Sequence, residues 1–271
     1  MLISSSLRLL SFSILVFFSL ANQASERSSV DHTIIDNELL SFGVEITNYS
    51  PYYFLDEQNN YQGAAREILD LFAKHINKST SYTPMPVARL FNQFLNSEID
   101  LKFPSNPLWS DGLKESINIF YSKPLFNIKE TVLVLDQFSY KKSDEKHTVK
   151  SKDVTKINYI GTILGFTTPG IDEIVKSNEF TLVQVQSIEQ LVHMLVSERV
   201  QGVYFNEKVA LAQAKKMYPS VKIKNSERVQ PFEYGYHLSS INHPELINAF
   251  NQFLDSHAVA ITRIKKRYGV Q

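Results

Sequence analysis

Hydrophobic and polar positions alternate with a two-residue period from Leu40 to Thr47. Phe42, Val44 and Ile46 stand against Gly43, Glu45 and Thr47, the pattern of a half-buried strand. The next stretch, Asn48 to Phe54 (NYSPYYF), puts four aromatics into seven residues. Polar turn residues follow from Asp56 to Asn60. Gly63 then precedes a segment in which Ile68, Leu69, Leu71, Phe72 and Ile76 share one helical face. Strand, aromatic loop and helix make half of a βαβ unit. In open α/β sheets ligands sit at the carboxyl ends of strands, and the tyrosines gathered here exceed what a core needs.

The same change of period recurs along the chain. Strands are predicted at Thr80–Thr83 (broken by Pro84 and Pro86), Ile99–Phe103, Glu130–Leu135, Tyr159–Thr162, Thr181–Val185, Val200–Phe205, Val221–Lys224 and Pro231–Leu238. Helices alternate with them. One starts with Pro86 as its first residue and carries Val87, Leu90, Phe91, Phe94 and Leu95. Others run through Ile171, Ile174 and Val175, from Ser187 to Ser197 behind a Ser187–Gln190 capping box, and from Glu207 to Met217. Two C-terminal helices follow, one from Pro244 burying Leu246, Ile247, Phe250, Phe253 and Leu254, the other with Val259, Ile261 and Ile264 and ending at Gly269. This alternation predicts an α/β fold of mostly parallel sheet flanked by helices.

Charge and composition narrow the function. The chain has 271 residues, with 28 basic and 28 acidic side chains and a net charge of zero, which argues against nucleic acid or an anionic membrane surface as partner. Arg8 precedes an apolar run from Leu9 to Leu20, and small residues end it at Ala21 or Ala24. Twelve residues are too few for a membrane span and suit a cleaved signal peptide, residues 1–21. Residues 22–37 are polar and aperiodic, a disordered leader, and the charge-rich stretch 140–153 reads as a solvated loop. There is no cysteine, hence no disulfide, no thiolate chemistry and no lipidated residue after the signal. An exported protein without an anchor would be lost from a cell with one membrane, so the expected location is the periplasm.

Tyr49-Ser50-Pro51-Tyr52-Tyr53-Phe54 after a strand, then Asn60-Tyr61-Gln62-Gly63 and a helix, resembles the opening of the family 3 extracellular solute-binding proteins of ABC importers. Phe120-Tyr121-Ser122-Lys123-Pro124 resembles the family's approach to its hinge, and Pro244-Glu245-Leu246 with the basic final helix resembles its ending. The resemblance runs from about Leu40 to Gly269. It implies a two-lobe periplasmic-binding-protein fold of type II, each lobe a mostly parallel sheet flanked by helices, joined by two crossover strands. Lobe one would be 38–130 plus 231–271, and lobe two 131–230.

Candidate ligand contacts follow from the carboxyl ends of strands and from the resemblance. Tyr49, Tyr52 and Phe54 either cover a ligand face or form a cluster under the loop. Arg89 either snorkels or faces the cleft. Asn106 and Trp109 follow the strand at Ile99–Phe103, with Trp109 a lid or a hinge plug. Gly161 to Thr168 resembles the family's second-lobe anion loop, so Phe166, Thr167 and Thr168 are candidates, the threonines as helix caps beside free N–H groups. Asn206 stands where amino-acid-binding members usually place an aspartate for the ligand's ammonium. Where they place a carboxylate-clamping arginine, this chain offers only Lys114 in Ser110-Asp111-Gly112-Leu113-Lys114-Glu115, which lacks the bidentate fork. Both departures point away from a standard amino acid.

No nucleophile elbow, zinc-protease motif or phosphate loop is present, and the seven histidines are scattered. No cofactor, metal or catalytic residue is expected. The leading expectation is a monomeric periplasmic protein that captures a small polar solute by hinge closure for an ABC permease. One alternative is a ligand sensor docking on a membrane receptor. Another is an enzyme resembling cyclohexadienyl dehydratases, which needs a cleft carboxylic acid of raised pKa. Glu45, Glu173 and Glu207 are the carboxylates placed near strand or helix ends.

Overall fold

The computed structural model describes residues 39–114, 116–136 and 157–270. The signal segment, the leader and the charge-rich stretch 140–153 lie outside them. β1 (Leu39–Glu45) runs into the aromatic loop, which a small hairpin of β2 (Phe54–Leu55) and β3 (Tyr61–Gln62) closes. α1 (Ala64–His75) returns the chain to β4 (Ser79–Met85), and α2 (Val87–Leu95) leads to β5 (Leu101–Ser105). The short β6 (Phe120–Tyr121) precedes the long β7 (Phe126–Leu135). A second α/β run follows: β8 (Tyr159–Ile163), α3 (Asp172–Lys176), β9 (Thr181–Val185), α4 (Ile188–Val196), β10 (Gly202–Asn206), α5 (Glu207–Met217) and β11 (Ile223–Asn225). β12 (Phe232–Ser240), α6 (Pro244–Ser256) and α7 (Ala258–Tyr268) complete the chain.

The strands join in the order β4-β1-β5-β12-β7-β10-β8-β9, with β6 beside β12 and β11 beside β7. In one half β1 lies parallel to both β4 and β5; in the other β8 lies parallel to β9 and β10. Between them β7 and β12 pair antiparallel, from Phe232 opposite Glu130 to Tyr236 opposite Phe126. β12 then shifts register and pairs with β5 and β6. β7 and β12 are therefore the strands that carry the chain between halves, where the sequence pattern had Glu130–Leu135 and Pro231–Leu238.

Each half buries a helix face against its sheet. α1 buries Ile68, Leu69 and Phe72, and Phe72 meets Phe250 of α6 edge-on at 5.0 Å. α4 buries Ile188, Leu191, Val192 and Leu195 behind its Ser187 cap, whose hydroxyl accepts from the Gln190 amide at 3.2 Å. Gly269, in the left-handed region at φ 67°, ends α7.

Two local expectations change. β4 does not break at Pro84 but runs through it, with Val44 opposite Pro84 in register. β4 is the outer strand of its half, where a residue without an N–H is tolerated. Pro86 is the N-cap of α2 and not its first residue.

Gly63 fixes the seat of the aromatic loop. Its φ is 109°, and a Cβ there would lie 2.6 Å from the Tyr52 carbonyl oxygen. Gly63→Ala should lower unfolding free energy by about 1 kcal/mol or more. A Cβ on Gly112 meets nothing within 4 Å, so Gly112→Ala should stay within about 0.5 kcal/mol. Urea midpoints of the two variants check this.

Candidate functional site

The carboxyl ends of β1 and β5 and the crossover strands converge on one interior. Tyr49 stands at its centre. Its ring stacks on Tyr53 at 5.1 Å and packs against Tyr236 at 5.7 Å, within the first half and its crossover. It also meets Phe205 at 5.0 Å and Phe166 at 6.3 Å, both from the second half. Phe166 in turn stacks on Phe205 at 5.7 Å. Nearer the surface the Asn48 amide donates to Glu189 Oε1 at 3.3 Å. Gly165, at φ 85°, brings its loop close to α2, where its Cβ would sit 3.4 Å from that of Val87. The halves thus meet directly, and all described residues belong to one compact unit.

A cavity of about 280 Å³ remains between them. Val87 and Phe91 of α2, with Trp109 and Leu113, form one wall; Gly165, Phe166 and Thr167 form the other; Glu130, Tyr234 and Tyr236 of the crossover strands close it. Glu45 and Lys102 also line it.

The two glutamates and the lysine of this lining are almost fully buried: Glu45 and Glu130 are 2% exposed and Lys102 is 3% exposed. Lys102 Nζ donates to the Pro104 carbonyl at 2.5 Å and lies 5.4 Å from the Trp109 ring centre. Glu45 Oε2 accepts from the Tyr53 hydroxyl at 2.8 Å. Burial pushes both toward neutrality, the Glu45 carboxyl up and the Lys102 ammonium down to about 8, while their mutual attraction opposes this.

Among the described residues no such counter-charge is prominent around Glu130. Burial pushes its carboxyl up to about 7; the hydroxyls of Tyr234, Tyr204 and Tyr49 pull it back, and Glu45 repels it. The Tyr49 hydroxyl donates to Oε1 at a long 3.4 Å, and Oε2 has no hydrogen-bond partner among the described residues. A buried carboxylate so placed lacks what normally makes it stable.

Of the residues singled out in the sequence, Trp109, Phe166 and Thr167 line the cavity, and Tyr49 stands behind its wall on Glu130. Asn106 is buried and donates to the Gly235 carbonyl at 2.6 Å, tying the Trp109 loop to β12. Tyr52 and Asn206 meet elsewhere, in a smaller cavity of about 160 Å³ with Lys129 and Glu207. Asn206 Oδ1 accepts from the Val209 amide at 3.0 Å, so this side chain caps α5. Phe54 sits half-buried in the β2–β3 hairpin, opposite Gln62. Arg89 is exposed on the side of α2 away from Val87 and Phe91.

The threonine loop differs from expectation. Neither Thr167 nor Thr168 caps α3; its N-cap is Ile171. The Thr168 hydroxyl donates instead to Asp172 Oδ1 at 2.6 Å. That carboxylate lies in the first turn of a five-residue helix, where it would repel an anion. Lys114 donates to the Pro107 carbonyl at 2.6 Å and does not line the cavity.

Sequence reading missed Lys102, Glu130, Tyr234 and Tyr236, and took Glu45 only as a candidate acid. The signals were present. Lys102 lies between Leu101 and Phe103, and Glu130 opens the run Thr131–Leu135, where a buried charge needs a reason.

No family model matches the chain, and no curated protein is similar to it in sequence at a significant level. Solved structures are similar in fold. An ancestral arginine-binding protein bound to arginine superposes with a TM-score of 0.67 at 19% identity, covering 85% of this chain and 97% of that one. The fold is that of the two-lobe periplasmic binding proteins. An arginine-specific periplasmic binding protein of Salmonella typhimurium gives 0.65 at 16% identity, covering 85% and 98%. An ancestral amino-acid-binding protein described as a precursor of cyclohexadienyl dehydratase gives 0.65 at 18%, covering 87% and 97%. At these identities the likeness establishes the two-lobe fold.

The state of Glu130 can be read from stability. Its carboxyl binds a proton more tightly folded than unfolded, with a folded value of about 7 against an ordinary 4.5. Between those values the folded state holds more protons, so this group's contribution is present below 4.5 and is lost as pH rises through 7. Glu130→Gln should therefore raise the melting temperature at pH 8, and the gap should shrink toward pH 4.5. A pH series of thermal melts on both proteins checks it.

Proposed function

We propose that this protein captures a small solute between its lobes and presents it to an ABC permease in the periplasm, after export on residues 1–21. The lobes in this reading are 38–130 plus 231–271 and 131–230, and the ligand binds by hinge closure about β7 and β12. The observation that carries it is the interlobe cavity: walls from α2 and the Trp109 loop on one side and the Phe166 loop on the other, around buried charges. A solute there touches both lobes, so it favours the closed arrangement through contacts that the open one lacks. Its volume of about 280 Å³ is at the small end for ligand pockets, which run from ~300 to 1,000 Å³. The similar solved proteins are binding proteins of amino acids, in keeping with a small polar ligand.

Thermal-shift screening of amines, amino acids, organic acids and small sugars tests this. A ligand at a hundred times its dissociation constant should stabilise by about 2.7 kcal/mol. Trp109→Ala, which opens one wall, should weaken that ligand's binding at least tenfold. A broad panel that leaves the melting temperature unmoved would count against the reading.

One feature favours a second reading. Glu130 supplies a cleft carboxyl that burial raises to about 7, the kind of group an acid-assisted elimination uses. Turnover of a prephenate-like substrate by the purified protein, abolished in Glu130→Gln, would establish it; binding without turnover would not.

A further inference from the structure

The charges inside the cavity do not add up to a closed account. Lys102 is answered by Glu45, and the main influences on each include the other. Glu130 is answered by hydroxyls alone, and the charged group prominent around it, Glu45, repels it. One of its oxygens is buried with no donor. With Lys102 and Glu45 both ionised, ionising Glu130 gives the lining one net negative charge.

The surroundings of Glu130 are also the surroundings a cation uses. Tyr49, Tyr204 and Tyr234 gather their hydroxyls at its carboxyl. Tyr234 and Tyr236 pack at 5.9 Å, and Trp109 meets them edge-on at 6.0 and 5.5 Å. Aromatic faces around a dehydrated carboxylate favour an organic ammonium over water. A ligand carboxylate, by contrast, finds no arginine in the lining. The one cation among the described lining residues, Lys102, already faces Glu45 and the Pro104 carbonyl.

Resting on the solute-binding reading above, we infer that the ligand is a small organic amine without a carboxylate, whose ammonium group docks on Glu130 inside the tyrosine cluster. Its apolar body lies along Val87, Phe91, Trp109 and Phe166. The amine supplies the positive charge that the lining leaves missing beside Glu130. An α-amino acid would bring the ammonium together with a carboxylate that the lining does not neutralise.

Calorimetry on the purified protein with three probes of one frame tests this: phenethylamine (amine only), phenylalanine (amine and carboxylate) and 3-phenylpropionate (carboxylate only). Phenethylamine should bind at least tenfold more tightly than either of the others. The amine requires ionised Glu130, so binding should release a proton near pH 6, seen as heats that differ between buffers of different ionisation enthalpy. Affinity should fall about tenfold per pH unit below 7. Glu130→Gln, of the same shape, should cost phenethylamine about thirtyfold or more and leave 3-phenylpropionate unchanged.

Phenylalanine binding as tightly as phenethylamine, or no proton release, would overturn the amine site. So would binding of only neutral or acidic solutes in the wider panel; each of these leaves the solute-binding reading standing. Failure of every solute in the panel would overturn both.

Discussion

A carboxylate buried without a cation constrains everything around it. Taken out of water, Glu130 must either hold a proton or find a positive partner. The chain offers it tyrosine hydroxyls and leaves one oxygen bare. Lys102 shows the contrast. It is as deeply buried, yet it has the Pro104 carbonyl, the Trp109 face and Glu45. The interior is polar by construction, since these groups come from β1, β5 and β7, whose other residues are largely apolar and buried. A core meant only to hold the lobes together would be more stable with apolar side chains at these positions.

The position of Glu130 matters as much as its charge. On β7 it stands opposite Asn206 of β10 on one side and Phe232 of β12 on the other. It is thus on the strand pair that carries the chain between halves. Tyr49 reaches it from the first half, and Tyr204 reaches it from the second. Lobe separation in the proposed cycle would part Tyr49 from Phe166 and Phe205 and let water to the carboxyl. Closure and the loss of solvent at Glu130 are then one event, and whatever compensates the carboxylate also favours closure.

The fold was legible because it rests on periodicity. Residues that alternate in β1, or that line one face of α1 and α4, do so for reasons local to the sequence. The helix bounds at Glu207 and Met217 and the glycine stop at Gly269 follow from caps and breakers alone. Of the candidate site, the sequence pointed to what lies next to a recognisable loop: Trp109, Phe166 and Thr167 line the cavity and Tyr49 stands behind its wall. Asn206 caps α5 and Thr168 holds Asp172. Lys102, Glu130, Tyr234 and Tyr236 lie far apart in the chain and meet only through the pairing of β5, β12 and β7. No local pattern encodes that meeting. What the sequence did carry was a lysine between Leu101 and Phe103 and a glutamate heading the run Thr131–Leu135, which a pass for alternation reads through.

A raised carboxyl serves binding and acid catalysis for opposite reasons, and this separates the two readings physically. A general acid must enter the complex protonated, so its ligand should hold the value high. A counter-ion must enter ionised, so its ligand should drive the value down. The same Glu130, near 7 in the free protein, would move in opposite directions on binding. The surrounding tyrosines do not choose between them, since burial keeps Tyr49, Tyr234 and Tyr236 protonated and able only to donate to an ionised neighbour. Yet donation is itself a bias. Hydroxyls directed at a carboxyl stabilise its charged form, and three of them do so here. Against burial alone, then, the cluster works toward ionisation, which is the state a cation requires and an acid must avoid.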